Sequence, residues 1–328
     1  MDRLKQIIKD FPHARILVIG DIILDRYVKG SVSRISPEAP VPIVEVEEVQ
    51  NIIGGAGNTA NNIVCFGGKA YISGIIGDDE PGRILTKLFK DANIDHSGVF
   101  VNDKLSTIQK VRVISSEQQI VRLDYEESGK VHYTDGTDNN DAMCKKFKDM
   151  IQEVDIIIVS DYNKGTITRE VATFLKDECK KYGKRIIVDT KLDHMEYFKD
   201  VYLIKPNQKE TEEMTGIKIN DDTDAIRAGR KLQGYFNSNI VVTRGSKGMD
   251  IFEGREHKNI LTRARNVYDV SGAGDTVVAA LGLSIASGAS LIESAEIANH
   301  AAGIVVGKPG TATATREELL EAMKDVHN

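Results

Sequence analysis

The run Asp269-Val270-Ser271-Gly272-Ala273-Gly274-Asp275-Thr276 sets two carboxylates around two glycines, just ahead of an apolar stretch at residues 277–286. Glycines let a backbone turn tightly and aim several N–H groups at one spot. A helix opening there adds its positive N-terminal end, which makes an anion site suited to a transferring phosphoryl group. Asp275 stands at the mouth of such a site, where a carboxylate can accept the proton of an attacking hydroxyl. The same residues also fit a plain glycine turn with a helix-capping aspartate. The run lacks the Gly-Lys-Ser/Thr ending of a P-loop and is not one.

Three other segments have chemical potential. Gly54-Gly55-Ala56-Gly57-Asn58 precedes a helical stretch, a pattern that is common on its own. Asn207-Gln208-Lys209-Glu210 follows a strand candidate ending at Lys205. There Asn207 can donate to a phosphate oxygen, and Glu210, one helical turn on, can hold the water shell of Mg²⁺. An ordinary Asn-capped helix reads the same way. Thr243-Arg244-Gly245-Ser246-Lys247-Gly248 ends a further strand candidate, where open α/β sheets place ligands, or is simply a hairpin turn.

The elements that must position these residues alternate. Residues 15–20 (RILVIG) form a buried-strand run, with Asp21 and Asp25 just beyond it. Further strand candidates lie at 70–75, 156–160, 185–189, 202–205 and 240–243, and amphipathic helical stretches at 82–91, 141–153, 169–182 and 223–235. Apolar strands alternating with helices predict a mostly parallel sheet with helices on both faces. From Val28 to Val49 the texture differs: Pro37, Pro40 and Pro42 exclude a helix, and Ile43, Val44, Val46 and Val49 follow. Short strands at 107–113 and 119–123 flank a polar turn at 115–117. We group these segments as a small β-sheet lid, made of insertions at about 26–50 and 105–125 in one α/β domain covering 1–328.

Composition sets the outer limits. The chain of 328 residues is 41% hydrophobic and 28% charged, enough for a substantial core. A formal net charge of −6 argues against non-specific nucleic-acid binding, which needs a basic surface. Cys65, Cys144 and Cys179 match no zinc spacing, and an odd count disfavours a disulfide framework, so reduced thiols and a cytoplasmic location are expected. Leu4, Ile7 and Ile8 give the first ten residues the stripe of an amphipathic helix rather than a signal segment. No apolar run approaches the ~20 residues that span a bilayer.

In their order and spacing, the four segments resemble the ribokinase-type (PfkB) carbohydrate kinases over essentially the whole chain. The GG-x-x-N pattern at residues 54–58 is one residue shorter than the ribokinase form. The resemblance implies a ribokinase-like three-layer α/β/α domain, with Asp275 as catalytic base and Gly272, Ala273 and Gly274 at the anion hole. It also implies ATP held near Asn207, Thr243, Gly245, Gly248 and Asn299, with Mg²⁺ reached through water from Glu210. A monovalent cation such as K⁺ would sit by Asp269, Ser271 and the backbone of 305–313.

Several runs are similar to those of the D-glycero-β-D-manno-heptose 7-phosphate kinases within that family. They are Ser33-Arg34-Ile35-Ser36-Pro37-Glu38-Ala39-Pro40-Val41-Pro42, Gly20-Asp21-Ile22-Ile23-Leu24-Asp25-Arg26-Tyr27, Gln118-Gln119-Ile120-Val121-Arg122-Leu123-Asp124, Ser160-Asp161-Tyr162-Asn163-Lys164-Gly165 and Val306-Gly307-Lys308. The implied substrate already carries a phosphate. Arg34, Lys110, Arg112, Arg122, Lys164 and Lys191 are the cations offered to it, though each alone also reads as a solvated surface charge. Asp21, Asp25, Gly54, Gly55 and Asn58 would bind the sugar, and Asp21 reads equally as a carboxylate capping its own turn. Many such kinases carry a C-terminal nucleotidyltransferase domain. No H-x-G-H-type motif occurs here, so a stand-alone kinase or a separated kinase part is expected, pairing as a homodimer through its lids. The alternatives are a kinase of the same type for another sugar, sugar phosphate or nucleoside, or a non-catalytic sugar sensor on this fold.

Overall fold

The structure is a computed structural model. It describes residues 2–116, 118–126, 137–264 and 267–324, with side chains of 137–143 set aside. Glu117, in the expected 115–117 turn, lies outside the described residues.

Thirteen strands are described: β1 Arg15–Gly20, β2 Ile22–Ile35, β3 Pro42–Gly55, β4 Lys69–Gly77, β5 Asp95–Asn102, β6 Ile108–Ser115, β7 Gln118–Tyr125, β8 Ile156–Ser160, β9 Arg185–Asp189, β10 Leu203–Ile204, β11 Asn239–Thr243, β12 Met249–Glu253 and β13 Glu256–Ile260. Nine form the main sheet in the order β13-β12-β11-β10-β9-β8-β1-β4-β5, parallel from β5 to β11 and antiparallel at β12 and β13. This is the α/β architecture with a mostly parallel sheet that the sequence predicts.

Strand β1 shows why both faces are covered. Ile16 and Val18 enter one core with residues of the Ala56–Cys65, Ala273–Ala286 and Leu291–Val305 helices. Leu17 and Ile19 enter a second core with Phe147, Ile151, Val171, Leu175, Leu232 and Phe236, from helices on the opposite face. Side chains alternate along a strand, so a strand apolar at every position must be sandwiched. The Asp2–Asp10 helix packs Leu4, Ile7 and Ile8 into the first core.

The lid is a separate four-stranded sheet in the order β3-β2-β6-β7. Its register puts Asp25, Lys110 and Asp124 in one row and Tyr27, Arg112 and Arg122 in the next on the same face. The intervening rows, Arg26-Val111-Leu123 and Val28-Val113-Val121, lie on the other face. One side of the lid is therefore charged and the other largely apolar. Three strands were not read from sequence. β5 and β13 are the two edges of the main sheet, and β12 adjoins β13; all three carry polar residues that dilute the apolar signal.

Candidate active site

Leaving β1, the chain runs to β4 and β5 on one side, then returns to β8 on the other. Crevices beyond the carboxyl ends of strands at such a reversal are where open α/β sheets bind ligands. The chain segments that follow β8, β9, β10 and β11 gather there with the start of the Ala273–Ala286 helix. They line a cleft of about 620 Å³ that includes Asp161, Tyr162, Asp189, Lys191, Lys205, Asn207, Glu210, Thr243, Gly245, Gly272, Gly274 and Asp275.

Asp275, in the first turn of that helix, is 6% exposed and is held by three donors. Asn58 Nδ2 donates to Oδ2 at 2.7 Å; the Tyr162 hydroxyl at 2.8 Å and Thr59 Oγ1 at 3.2 Å donate to Oδ1. Burial pushes its carboxyl up to about 6, against the hydrogen bonds from Asn58 and Tyr162, which favour the ionised form. Gly272 precedes the helix with φ +77°, a left-handed turn suited to glycine. The amides of Gly274 and Asp275 open the helix beside the cleft. Of the expected anion-hole residues, Ala273 differs from Gly272 and Gly274: its N–H donates to the Val270 carbonyl at 3.2 Å, and it does not line the cleft.

Lys205 supplies a buried cation here. Its Nζ lies 2.9 Å from Asp189 Oδ2, and a Cβ placed on Gly274 would sit 3.6 Å from it. Burial works against the ammonium, but Asp189 and Glu210 outweigh it and the Lys205 pKa rises. Glu210 and Asn207 form a reciprocal capping box, Asn207 Oδ1 accepting from Glu210 N and Glu210 Oε2 accepting from Asn207 N, both at 2.9 Å. The capped helix and the cleft position are thus both true of this pair, and the cap leaves the Asn207 amide nitrogen for a ligand. Lys191 binds Glu210 Oε1. Despite burial, Lys205, the Asn207 N–H and Lys191 hold the Glu210 carboxyl below its usual range.

On the lid, Asp25 Oδ1 accepts from Arg112 Nη1 at 2.5 Å, and Asp25 is near enough to Tyr162 to raise its pKa. A Cβ on Gly54 would come 2.4 Å from Asp25 Oδ2, so this glycine makes room for the carboxylate. Arg112 also stacks over the Tyr27 ring at 5.3 Å. Beside it in the register, Arg122 pairs with Asp124 at 2.8 Å, and Lys164 reaches Glu126 at 2.7 Å.

Other expected ligands are not brought together. Asp21 is fully buried, and it accepts from the backbone N–H groups of Tyr162 at 2.8 Å, Lys164 at 3.1 Å and Thr166 at 3.0 Å. It is the turn-capping carboxylate of the two readings and is closed to sugar. Arg34, beyond the paired end of β6, is exposed next to Glu45. Lys191 lies with Glu210 and Lys205 rather than with the lid arginines. The Asn299 amide is spent on the Leu261 carbonyl at 2.6 Å, and Gly248 packs behind its loop against the Ile260 carbonyl; neither lines the cleft. Asp269 accepts from Ser271 N at 2.8 Å and Gly310 N at 3.1 Å, which ties its turn to the loop around Gly310. Reading the sequence alone missed Tyr162, Thr59, Asp189 and Lys205. A signal existed for two of them: Tyr162 stands inside a quoted run, and Thr59 follows Asn58.

The match to known proteins agrees with this geometry. Residues 13–318 match the model of the pfkB family carbohydrate kinases. The bifunctional protein HldE of Desulfatibacillum aliphaticivorans is 40% identical over 318 residues, 96% of this chain and 64% of that protein. The chain belongs to the pfkB carbohydrate kinase family. In fold it is similar to the ribokinase of Arabidopsis thaliana solved with ribose and ATP (TM-score 0.78, 20% identity, 95% of this chain and 99% of that one). The phosphofructokinase-2 of Escherichia coli solved with potassium gives a TM-score of 0.75 at 21% identity, over 95% and 98% of the two chains.

Proposed function

We propose that the chain transfers the γ-phosphoryl group of ATP to the anomeric 1-hydroxyl of D-glycero-β-D-manno-heptose 7-phosphate, giving the 1,7-bisphosphate and ADP. The observation that carries this is Asp275: a buried carboxylate, oriented by three donors, at a helix opening in a cleft that also holds Lys191 and Lys205. Asp275 takes the proton as the hydroxyl oxygen bonds to phosphorus and the bridging P–O bond to ADP breaks. The Gly274 and Asp275 amides and Lys205 stabilise charge on the transferring group. Asp25 accepts hydrogen bonds from sugar hydroxyls, while Arg112, Arg122 and Lys164 face the distal phosphate. Asn207, Thr243 and Gly245 hold the nucleotide.

The ionised Glu210, reached through water, fits a hydrated Mg²⁺, which when bound would neutralise phosphate charge. Asp269 fits a K⁺-like ion for a related reason, since the Ser271 and Gly310 N–H groups hold its carboxyl low despite partial burial. Among the described residues no helix is long and apolar enough to cross a membrane. A cytoplasmic homodimer joined through the lids completes the reading.

The 7-phosphate is tested by Arg122→Met and Lys164→Met, compared on heptose 7-phosphate and on free heptose. Arg112 is the less clean choice because it also orients Asp25. A charge-assisted contact to phosphate is worth roughly 1.5–3 kcal/mol, so each loss lowers kcat/KM for the phosphosugar ~10–100-fold. Activity on the free sugar stays near that of the parent enzyme. Equal losses on both substrates would remove these cations from phosphate binding.

A further inference from the structure

We propose that Tyr162 is a positioning residue for Asp275, its hydroxyl fixing the carboxylate so that one oxygen alone is left for the acceptor hydroxyl. The inference rests on the kinase reading of Asp275. Each carboxylate oxygen has about two acceptor sites. Oδ1 is filled by the Tyr162 hydroxyl and Thr59 Oγ1, whereas Oδ2 holds only Asn58 Nδ2. The free site is thus on Oδ2, and rotating the carboxylate out of this plane would weaken all three bonds.

The phenol is suited to a permanent donor. Burial first, then the charges of Asp275 and Asp189, push its pKa well above the ordinary 10, so it does not ionise where the enzyme works. Its ring lies under Lys191, 5.7 Å from Nζ, and Asp25 adds further negative charge nearby. Around Asp275 itself the charged neighbours are Asp189, which raises its pKa, and Lys205, which lowers it.

The backbone that presents Tyr162 is clamped as well. Asp21, displaced from the sugar, receives the Tyr162 N–H and two further amides of the same loop. Asp161 accepts from Thr190 Oγ1 at 2.7 Å and Asn163 N at 2.8 Å, and its carboxylate meets His194 Nδ1 at 2.9 Å. Two buried aspartates thus lock the turn after β8, and the turn delivers one hydroxyl to the base.

Tyr162→Phe removes that hydroxyl and keeps the ring. The Asp275 carboxyl, labelled with ¹³C and assigned by its disappearance in Asp275→Asn, is titrated by NMR in the parent and the Phe variant. Loss of one donor to the ionised form raises the midpoint by about one unit. On the phosphosugar the acid limb of the kcat profile moves up with it, kcat above the limb falls by roughly tenfold from lost orientation, and KM for ATP is unchanged. An unmoved titration overturns the inference, as does a loss equal at every pH with a lowered melting temperature. A parent enzyme without sugar-kinase turnover would sink the kinase reading, while the titration still decides the role of Tyr162.

Discussion

At the scale of single residues, the account stands on Asp275. A base must be deprotonated to act, and burial pushes Asp275 up to about 6. Activity is therefore full above that value and is lost as pH falls through it. Asp275→Asn keeps the shape and removes the base, so kcat falls by ~10²–10⁴, with ATP binding retained by calorimetry; near-parent turnover in a clean preparation would exclude the assignment. This residue was legible in sequence because glycines, aspartate and helix start are contiguous. Lys205, Asp189 and Tyr162 reach the same cleft from other strand ends, which no local pattern reveals. Asp21 and Asp25 show the converse limit. Both follow the first strand and both are buried, and only their partners separate them: Asp21 faces three backbone amides, and Asp25 faces an arginine on the lid.

At the scale of elements, the lid has the most consequences. Prolines and β-branched residues announced it, but its two-faced register is visible only once the strands pair. The row Asp25-Lys110-Asp124 and the row Tyr27-Arg112-Arg122 are charged or polar toward one side. On the other, Val49, Val121 and Leu123 are 51%, 45% and 43% exposed, and Ile35, Val41 and Val46 stand out near the far end. A small sheet with an uncovered apolar face and free edges calls for a partner surface. We propose a second lid as that surface, so light scattering at micromolar concentration should give twice the 36.1 kDa of the chain. Val121→Lys together with Leu123→Lys should shift that mass toward the monomer. A monomeric parent across this range would remove the lid-to-lid pairing. The missed edge strands carry a related lesson: β13, with Glu256, His257, Lys258 and Asn259, has little apolar alternation to read and is set by pairing with β12.

At the scale of the molecule, the parallel sheet and the reversal beside β1 place a cleft at the strand ends, with the lid's Asp25 near Tyr162 of that cleft. Lys205, Lys191, Glu210, Asn207 and Asp275 line that cleft, and we propose a nucleotide side there and a sugar side toward Asp25, Arg112 and Arg122 on the lid. The layered fold was readable because its central strands have unbroken apolar runs and alternate with helices. The division of the cations between the two sides was not, since Lys191 and the lid arginines look alike until the sheet order places them. The claim that unites these features is phosphoryl transfer to a phosphorylated sugar. Its most direct test is ³¹P NMR of the protein with MgATP and, in separate samples, heptose 7-phosphate, free heptose, ribose and fructose 6-phosphate. The account predicts ADP together with a new anomeric phosphate on heptose 7-phosphate, formed with the highest kcat/KM of the set. Preference for an unphosphorylated sugar, or no turnover of any sugar phosphate, would contradict it.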